Sequence, residues 1–195
     1  MTGLYAILLA AGSARRFGGS KLDAPWQNGA VIGASLAAAR AAPVHKVIVV
    51  TGGHKSAVNA ALDRSAHGDG ARVVRTHCPD HASGLSASLR CGLQALPAHA
   101  RGAFIFLGDM PAVPHDLAGR LIEALEPHQL AAAPFVAGRR AHPVLIMAPL
   151  FDALRTVSGD RGGRDVLDGL GGMLARVPLD DEGLVIDIDT PADLA

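Results

Sequence analysis

Aromatic side chains make up only 4% of the 195 residues, so the core must be filled by Ala, Val, Leu and Ile. Net charge is also missing: 18 Lys and Arg balance 18 Asp and Glu. That balance excludes a strongly basic nucleic-acid binder and an acidic tail protein. Cysteine is scarce. Two residues, Cys78 and Cys91, make no disulfide framework and suit a reducing compartment. No stretch approaches the roughly 20 apolar residues that a membrane span needs. The apolar run Leu4–Ala11 lacks the basic leader of a signal peptide and is followed at once by Gly12-Ser13-Ala14-Arg15-Arg16. A cytoplasmic protein without nucleic-acid or membrane partners is the expectation. Disorder is excluded in turn, because 49% of the residues are hydrophobic. A chain of this length buries roughly 70% of its unfolded surface in one domain.

Short aliphatic runs alternate with longer Ala- and Leu-rich ones. Strands are expected at Leu4–Leu9, Lys46–Val50, Arg72–Thr76 and Ala103–Leu107. Helices are expected between and after them, at Val31–Ala42, Lys55–Leu62, Leu85–Leu96 and Leu117–Leu125, with Pro43, Pro97 and Pro127 as stops. The alternation predicts an α/β fold with a mostly parallel sheet covered on both faces. Right-handed crossovers bring the strand C-termini to one edge. After residue 127 the pattern weakens. Leu130–Ala133 and Val144–Met147 read as strands with no clear helix between them, which predicts an antiparallel strand in this part. Asp165–Leu170 reads as a short helix and Leu184–Ile188 as a late strand. Thr190 and Pro191 have the look of a helix start.

Small residues gather where these strands end: Ala10-Ala11-Gly12, Thr51-Gly52-Gly53 and Gly108-Asp109. Open α/β sheets bind ligands at that edge, and glycine there lets backbone N–H groups approach a phosphate. The first loop, Gly12 to Lys21, sets three cations among small residues. It is no P-loop, since Gly12 to Gly18 is one residue too long and Ser20 precedes Lys21. Nor is it a dinucleotide fingerprint. Glycine with cations still makes an anion cradle, in which Arg16 and Lys21 neutralise charge on a leaving pyrophosphate. Asp109, just past a buried strand, suits a Mg²⁺ ligand shared with nucleotide phosphates. Asp187 and Asp189 share one face of an extended segment and offer a second carboxylate. His77, Cys78 and His81 match no standard zinc spacing and read as incidental. Cys91 reads as a packed small hydrophobe.

Three motifs in order, Leu9-Ala10-Ala11-Gly12 through Lys21, Gly108-Asp109-Met110-Pro111, and Asp187-Ile188-Asp189-Thr190-Pro191, resemble those of the MobA-like nucleotidyltransferases, essentially end to end. The resemblance implies a Rossmann-like three-layer fold and a single domain. Residues 1–127 would bind nucleotide and residues 128–195 would form the acceptor side. It implies Mg²⁺-dependent transfer of a nucleoside monophosphate to the phosphate of molybdopterin, with release of pyrophosphate. The family's nucleotide loop falls on Leu9, Ala10, Ala11, Gly12, Gly18 and Lys21, beside Thr51 and Gly52. Its base pocket falls on Gly84, Ser86 and Ser88, within Gly84-Leu85-Ser86-Ala87-Ser88-Leu89-Arg90. Arg16, Lys21 and Asp109 would be catalytic, and Asp109 with Asp187 or Asp189 would hold the metal. His142, Pro143, Asp160 and Arg164 would face the acceptor.

Ala14, Phe17 and His142 depart from the family's common Ser, Met and Gly. The first two leave phosphate binding intact, and the third falls on the acceptor side. Leu-Ala-Ala-Gly, rather than Leu-Ala-Gly-Gly, resembles the members that use CTP. The Ala11 methyl narrows the loop toward a pyrimidine. Alternatives are a guanylyltransferase, a sugar-phosphate nucleotidyltransferase, or a non-catalytic carrier that delivers molybdenum cofactor to a molybdenum hydroxylase.

Overall fold

The first apolar run forms β1 (Leu4–Ala10), which is buried at every position. A strand apolar on both faces has to be covered on both, and β1 lies in the middle of the sheet. The computed structural model describes residues 3–12, 17, 20–65, 72–180 and 187–194. After β1 come a small hairpin, β2 (Pro25–Trp26) and β3 (Gly29–Ala30), and helix α1 (Val31–Ala41). Then β4 (Val47–Thr51), α2 (Lys55–Arg64), β5 (Val73–His77), α3 (Leu85–Gln94), β6 (Gly102–Leu107) and α4 (Leu117–Glu123) alternate. The later part contains β7 (Ala131–Val136), β8 (Arg139–Arg140) and β9 (Val144–Met147). These are followed by α5 (Phe151–Arg155), α6 (Arg164–Asp168) and β10 (Leu174–Leu179).

The main sheet has the order β10-β7-β9-β6-β1-β4-β5, and β8 pairs with β7. β1 runs parallel to both β4 and β6, and β5 runs parallel to β4. β9 runs antiparallel to both its neighbours, β6 and β7, while β10 runs parallel to β7. The expected antiparallel strand of the C-terminal part is therefore β9. Alternate residues feed two cores. Ala6, Leu8, Val49, Phe104 and Phe106 pack with residues of α1, α2 and α4 on one face. Ile7, Leu9, Val50 and Ile105 pack with residues of α3 and α5 on the other. This is why the central strands lack a polar face.

β10, α5 and the β2–β3 hairpin were not legible in the sequence pattern. β10 is buried at alternate positions toward its end and contains Pro178, which an edge strand tolerates. Of the expected strand Leu184–Ile188, residues 184–186 lie outside the described residues, and Asp187 and Ile188 belong to no regular element. No helix among the described residues is long and apolar enough to cross a membrane.

Candidate active site

The sheet register sets three strand ends level. Ala10 pairs with Thr51 and Leu9 with Leu107, and the Gly108 N–H donates to the Leu9 carbonyl at 2.9 Å. Asp109 therefore leaves β6 beside the loop that leaves β1. Thr51 is 1% exposed and donates its hydroxyl to the Thr76 carbonyl at 3.2 Å. Only backbone is presented at that strand end. Gly52 lies so close to the first loop that a Cβ there would stand 2.5 Å from the Ala11 carbonyl. Gly12 is exposed, whereas Ala10 and Ala11 are buried beside it. Arg16 and Gly18 lie outside the described residues.

Lys21 begins a 3₁₀ turn, Lys21–Asp23. The turn is tied to α2 by an ion pair between Asp23 and Arg64. From it the Lys21 ammonium reaches Asp109 Oδ2 at 2.6 Å and Asp189 Oδ1 at 3.0 Å. Three distant parts of the chain thus meet at one side chain. Burial alone would pull the Lys21 pKa down, but Asp109 and Asp189 outweigh it and hold it above the usual lysine value.

The C-terminal segment is pinned from both sides. The Ile188 N–H donates to the Asp109 carbonyl at 2.9 Å, and the Ile188 side chain is 1% exposed. Asp193 Oδ2 accepts from the Asp189 and Thr190 N–H groups at 2.9 and 2.7 Å, and from the Thr190 hydroxyl at 3.1 Å. Those bonds hold the Asp193 carboxyl below the usual range. Asp187 keeps exposed surface while lining the large cleft described below. Burial there, then the charges of Asp109 and Asp189, push its pKa up to about 6, against the pull of Lys21.

A cleft of about 1080 Å³ opens from the strand ends toward the C-terminal part. Leu9, Ile105, Leu107 and Val144 line it together with Leu85 and Leu89 of α3. Its far wall is cationic. Arg140 is paired with Asp168 at 2.6 Å, and Arg161 with Asp165 at 2.6 Å. Arg176 stands 3.7 Å above the Phe135 ring. Arg161 belongs to the Gly159–Arg164 loop that resembles the family's acceptor side, whereas Arg140 and Arg176 were not singled out in the sequence, and the adjacent pair Arg139-Arg140 was the available signal.

Asp160 and Arg164 line the cleft, as does His142, whose Nδ1 lies 3.1 Å from the Ile105 carbonyl. Burial holds the His142 imidazole below its usual range, helped by Arg140 and Arg164 and opposed by the Ile105 bond and Asp109. Pro143 is buried and does not line the cleft. Gly84 has φ +99, and a Cβ there would meet the Asp160 carboxylate and come within 2.7 Å of the Gly159 carbonyl. The Ser86 N–H donates to that same carbonyl at 3.1 Å. The start of α3 is thereby locked to the loop before α6. Ser86 and Ser88 are buried, and Ser86 Oγ has no hydrogen-bond partner among the described residues.

Among the described residues no cluster of three or more His, Cys, Asp or Glu meets the geometry of a metal site. Asp109 and Asp189 nevertheless present two carboxylates to one cation, and their all-oxygen donor set fits a hard divalent ion that completes its coordination with substrate oxygens. The His77, Cys78 and His81 group stays unassembled. His81 Nδ1 lies 3.1 Å from the Cys78 carbonyl, and burial, then the neighbouring Cys91, raise the Cys78 thiol to about 11.

Residues 6–177 match the MobA-like NTP transferase domain. The chain is 28% identical over 194 residues to the molybdenum cofactor cytidylyltransferase of Escherichia coli (strain K12), covering 99% of this chain and 94% of that one. It is 30% identical over 191 residues to the purine catabolism protein PucB of Bacillus subtilis (strain 168), covering 96% and 92%. The structure of Rv0371c from Mycobacterium tuberculosis H37Rv superposes with a TM-score of 0.82 at 29% identity, covering 98% and 95%. A further structure of Rv0371c is a complex with manganese, with a TM-score of 0.78 at 28% identity and the same coverage.

Proposed function

Since the chain belongs to the MobA-like NTP transferase family, we propose that this nucleotidyltransferase moves CMP from CTP onto a molybdopterin-type molybdenum cofactor and releases pyrophosphate. The observation that carries the reading is the Lys21 ammonium 2.6 Å from Asp109 at the level strand ends. In this reading residues 1–127 bind the nucleotide, and the arginine-lined wall from residues 128–195 receives the acceptor.

The chemistry is a displacement at phosphorus. An oxygen of the acceptor phosphate bonds to the α-phosphorus of CTP, and the bond to the bridging oxygen breaks. Positioning and charge neutralisation are what a protein adds to such a reaction. Lys21, with Arg16, steadies the pyrophosphate as it leaves. Asp109 and Asp189 would hold Mg²⁺, which supplies Lewis-acid neutralisation of the phosphates when bound. The N–H groups of the Ala10 to Gly12 turn face the triphosphate, and the α3 start at Gly84 closes on the base, with Ser86 and Ser88 buried behind it. His142, Asp160 and Arg164 orient the acceptor. The Leu9-Ala10-Ala11-Gly12 run and the 28% identity to a cytidylyltransferase support CTP over GTP.

The test is pyrophosphate release with each of the four nucleoside triphosphates, purified molybdopterin cofactor and Mg²⁺. CTP is expected to give the highest kcat/KM. Lys21→Ala and Asp109→Ala are each expected to lower it about 10²–10³-fold. Near-normal turnover in either variant removes the mechanism. The second reading is a carrier without catalysis, in which the chain binds the cofactor in the arginine-lined cleft and delivers it to a molybdenum hydroxylase. Tight cofactor binding with no pyrophosphate release selects that one.

A further inference from the structure

Two cations cannot share one pair of carboxylates without strong repulsion. The Lys21 ammonium already contacts both carboxylates that suit a divalent ion, at 2.6 Å and 3.0 Å. The two acids come from different segments, and the bond from the Ile188 N–H to the Asp109 carbonyl holds those segments side by side. The Lys21 side chain is only 13% exposed, so the ammonium is seated rather than waving in solvent. Its flexible four-carbon stem, however, lets it leave without backbone rearrangement.

We propose that Lys21 is a built-in counter-ion. It competes with the divalent metal for Asp109 and Asp189 while the site lacks nucleotide, and it swings to the phosphates when the triphosphate arrives. The inference rests on the nucleotidyl-transfer reading for the ligand that draws Lys21 away. A triphosphate offers the ammonium a denser negative charge than two carboxylates do, and it brings oxygens that complete the coordination of the metal. The free protein then resists metal loading, and metal and nucleotide each raise the other's affinity by the same factor, as linkage requires. Lys21 would so have two roles of opposite sign toward the metal, against it before nucleotide binds and with it afterwards.

The sign reversal is the test. Mn²⁺ binding is followed by the loss of its free-ion paramagnetic resonance signal, without nucleotide and with α,β-methylene CTP. In the nucleotide-free arm, Lys21→Gln is expected to bind Mn²⁺ about tenfold more tightly than the unaltered protein. Lys21→Arg keeps the charge and is expected to stay weak, and Lys21→Gln with Asp109→Asn is expected to lose the gain. With the CTP analogue, Lys21→Gln is expected to bind Mn²⁺ more weakly than the unaltered protein.

Equal or weaker nucleotide-free Mn²⁺ affinity in Lys21→Gln, in a sample whose thermal transition is intact, overturns the counter-ion. So does the same gain in Lys21→Arg. The nucleotide arm answers separately for the parent reading. If the analogue does nothing for the unaltered protein while Lys21→Gln still gains Mn²⁺ without it, the counter-ion stands and the choice of CTP falls.

Discussion

His142 lies against the Ile105 carbonyl with Arg140 and Arg164 nearby, and its imidazole is held below the ordinary 6.5. The unfolded chain takes up a proton there near that value, and the folded chain only at lower pH. The contribution of neutral His142 to stability is therefore complete above about pH 6.5 and is lost as the pH falls. His142→Asn is expected to flatten the acid side of the stability curve, seen as a smaller drop in urea midpoint between about pH 7.5 and 5.5. Gly84 is constrained differently, by φ +99 and by the Gly159 carbonyl. Gly84→Ala should cost about 1–3 kcal/mol in urea unfolding. At this scale the sequence was most informative where chemistry and position coincide. Asp109 stood out because a carboxylate just past a buried strand has no packing reason to be there, Lys21 because it is a cation in a glycine-containing loop, and Asp189 as a second carboxylate near an apolar run; the fold joins all three. Arg140 and Arg176 did not stand out, because only the fold brings β8 and β10 to the same cleft.

Elements carry these residues with different degrees of restraint. The short turn Pro191–Leu194 looks peripheral, yet Asp193 within it receives three hydrogen bonds that fix the backbone of Asp189 and Thr190. Asp193→Ala is expected to weaken Mn²⁺ binding in the presence of nucleotide by about tenfold through loss of that orientation. The urea midpoint is expected to stay near that of the unaltered protein, because the bonds that Asp193 accepts are exposed and the packing of Leu194 on the core is untouched. The alternating strands and helices up to α4 were readable because each central strand is apolar on both faces and each helix ends near a Pro or a turn. β10 escaped because its apolar residues alternate with Arg176 and Pro178 in a strand at the sheet edge. The β2–β3 hairpin escaped because two-residue strands leave no periodicity to detect.

At the scale of the whole molecule, the cleft is shared between the strand ends of the first part and the arginine wall of the second. Nucleotide and acceptor sites should then separate under mutation. CTP with Mg²⁺ at a hundred times its Kd is expected to stabilise the fold by about 2.7 kcal/mol. That is a rise of about 5–10 °C in Tm by scanning fluorimetry for a chain of this size. Arg164→Ala should keep that rise and lose acceptor affinity, whereas Asp109→Ala should lose the rise itself. The sheet order has one more consequence. β1 lies inside the sheet, between β6 and β4, yet its partner β6 follows it by about ninety residues of chain. At roughly 5–20 residues per second, a ribosome needs several seconds to deliver that partner. For that interval a ribbon buried at every position in the folded protein has an open flank, the kind of surface that nascent-chain chaperones exist to shield.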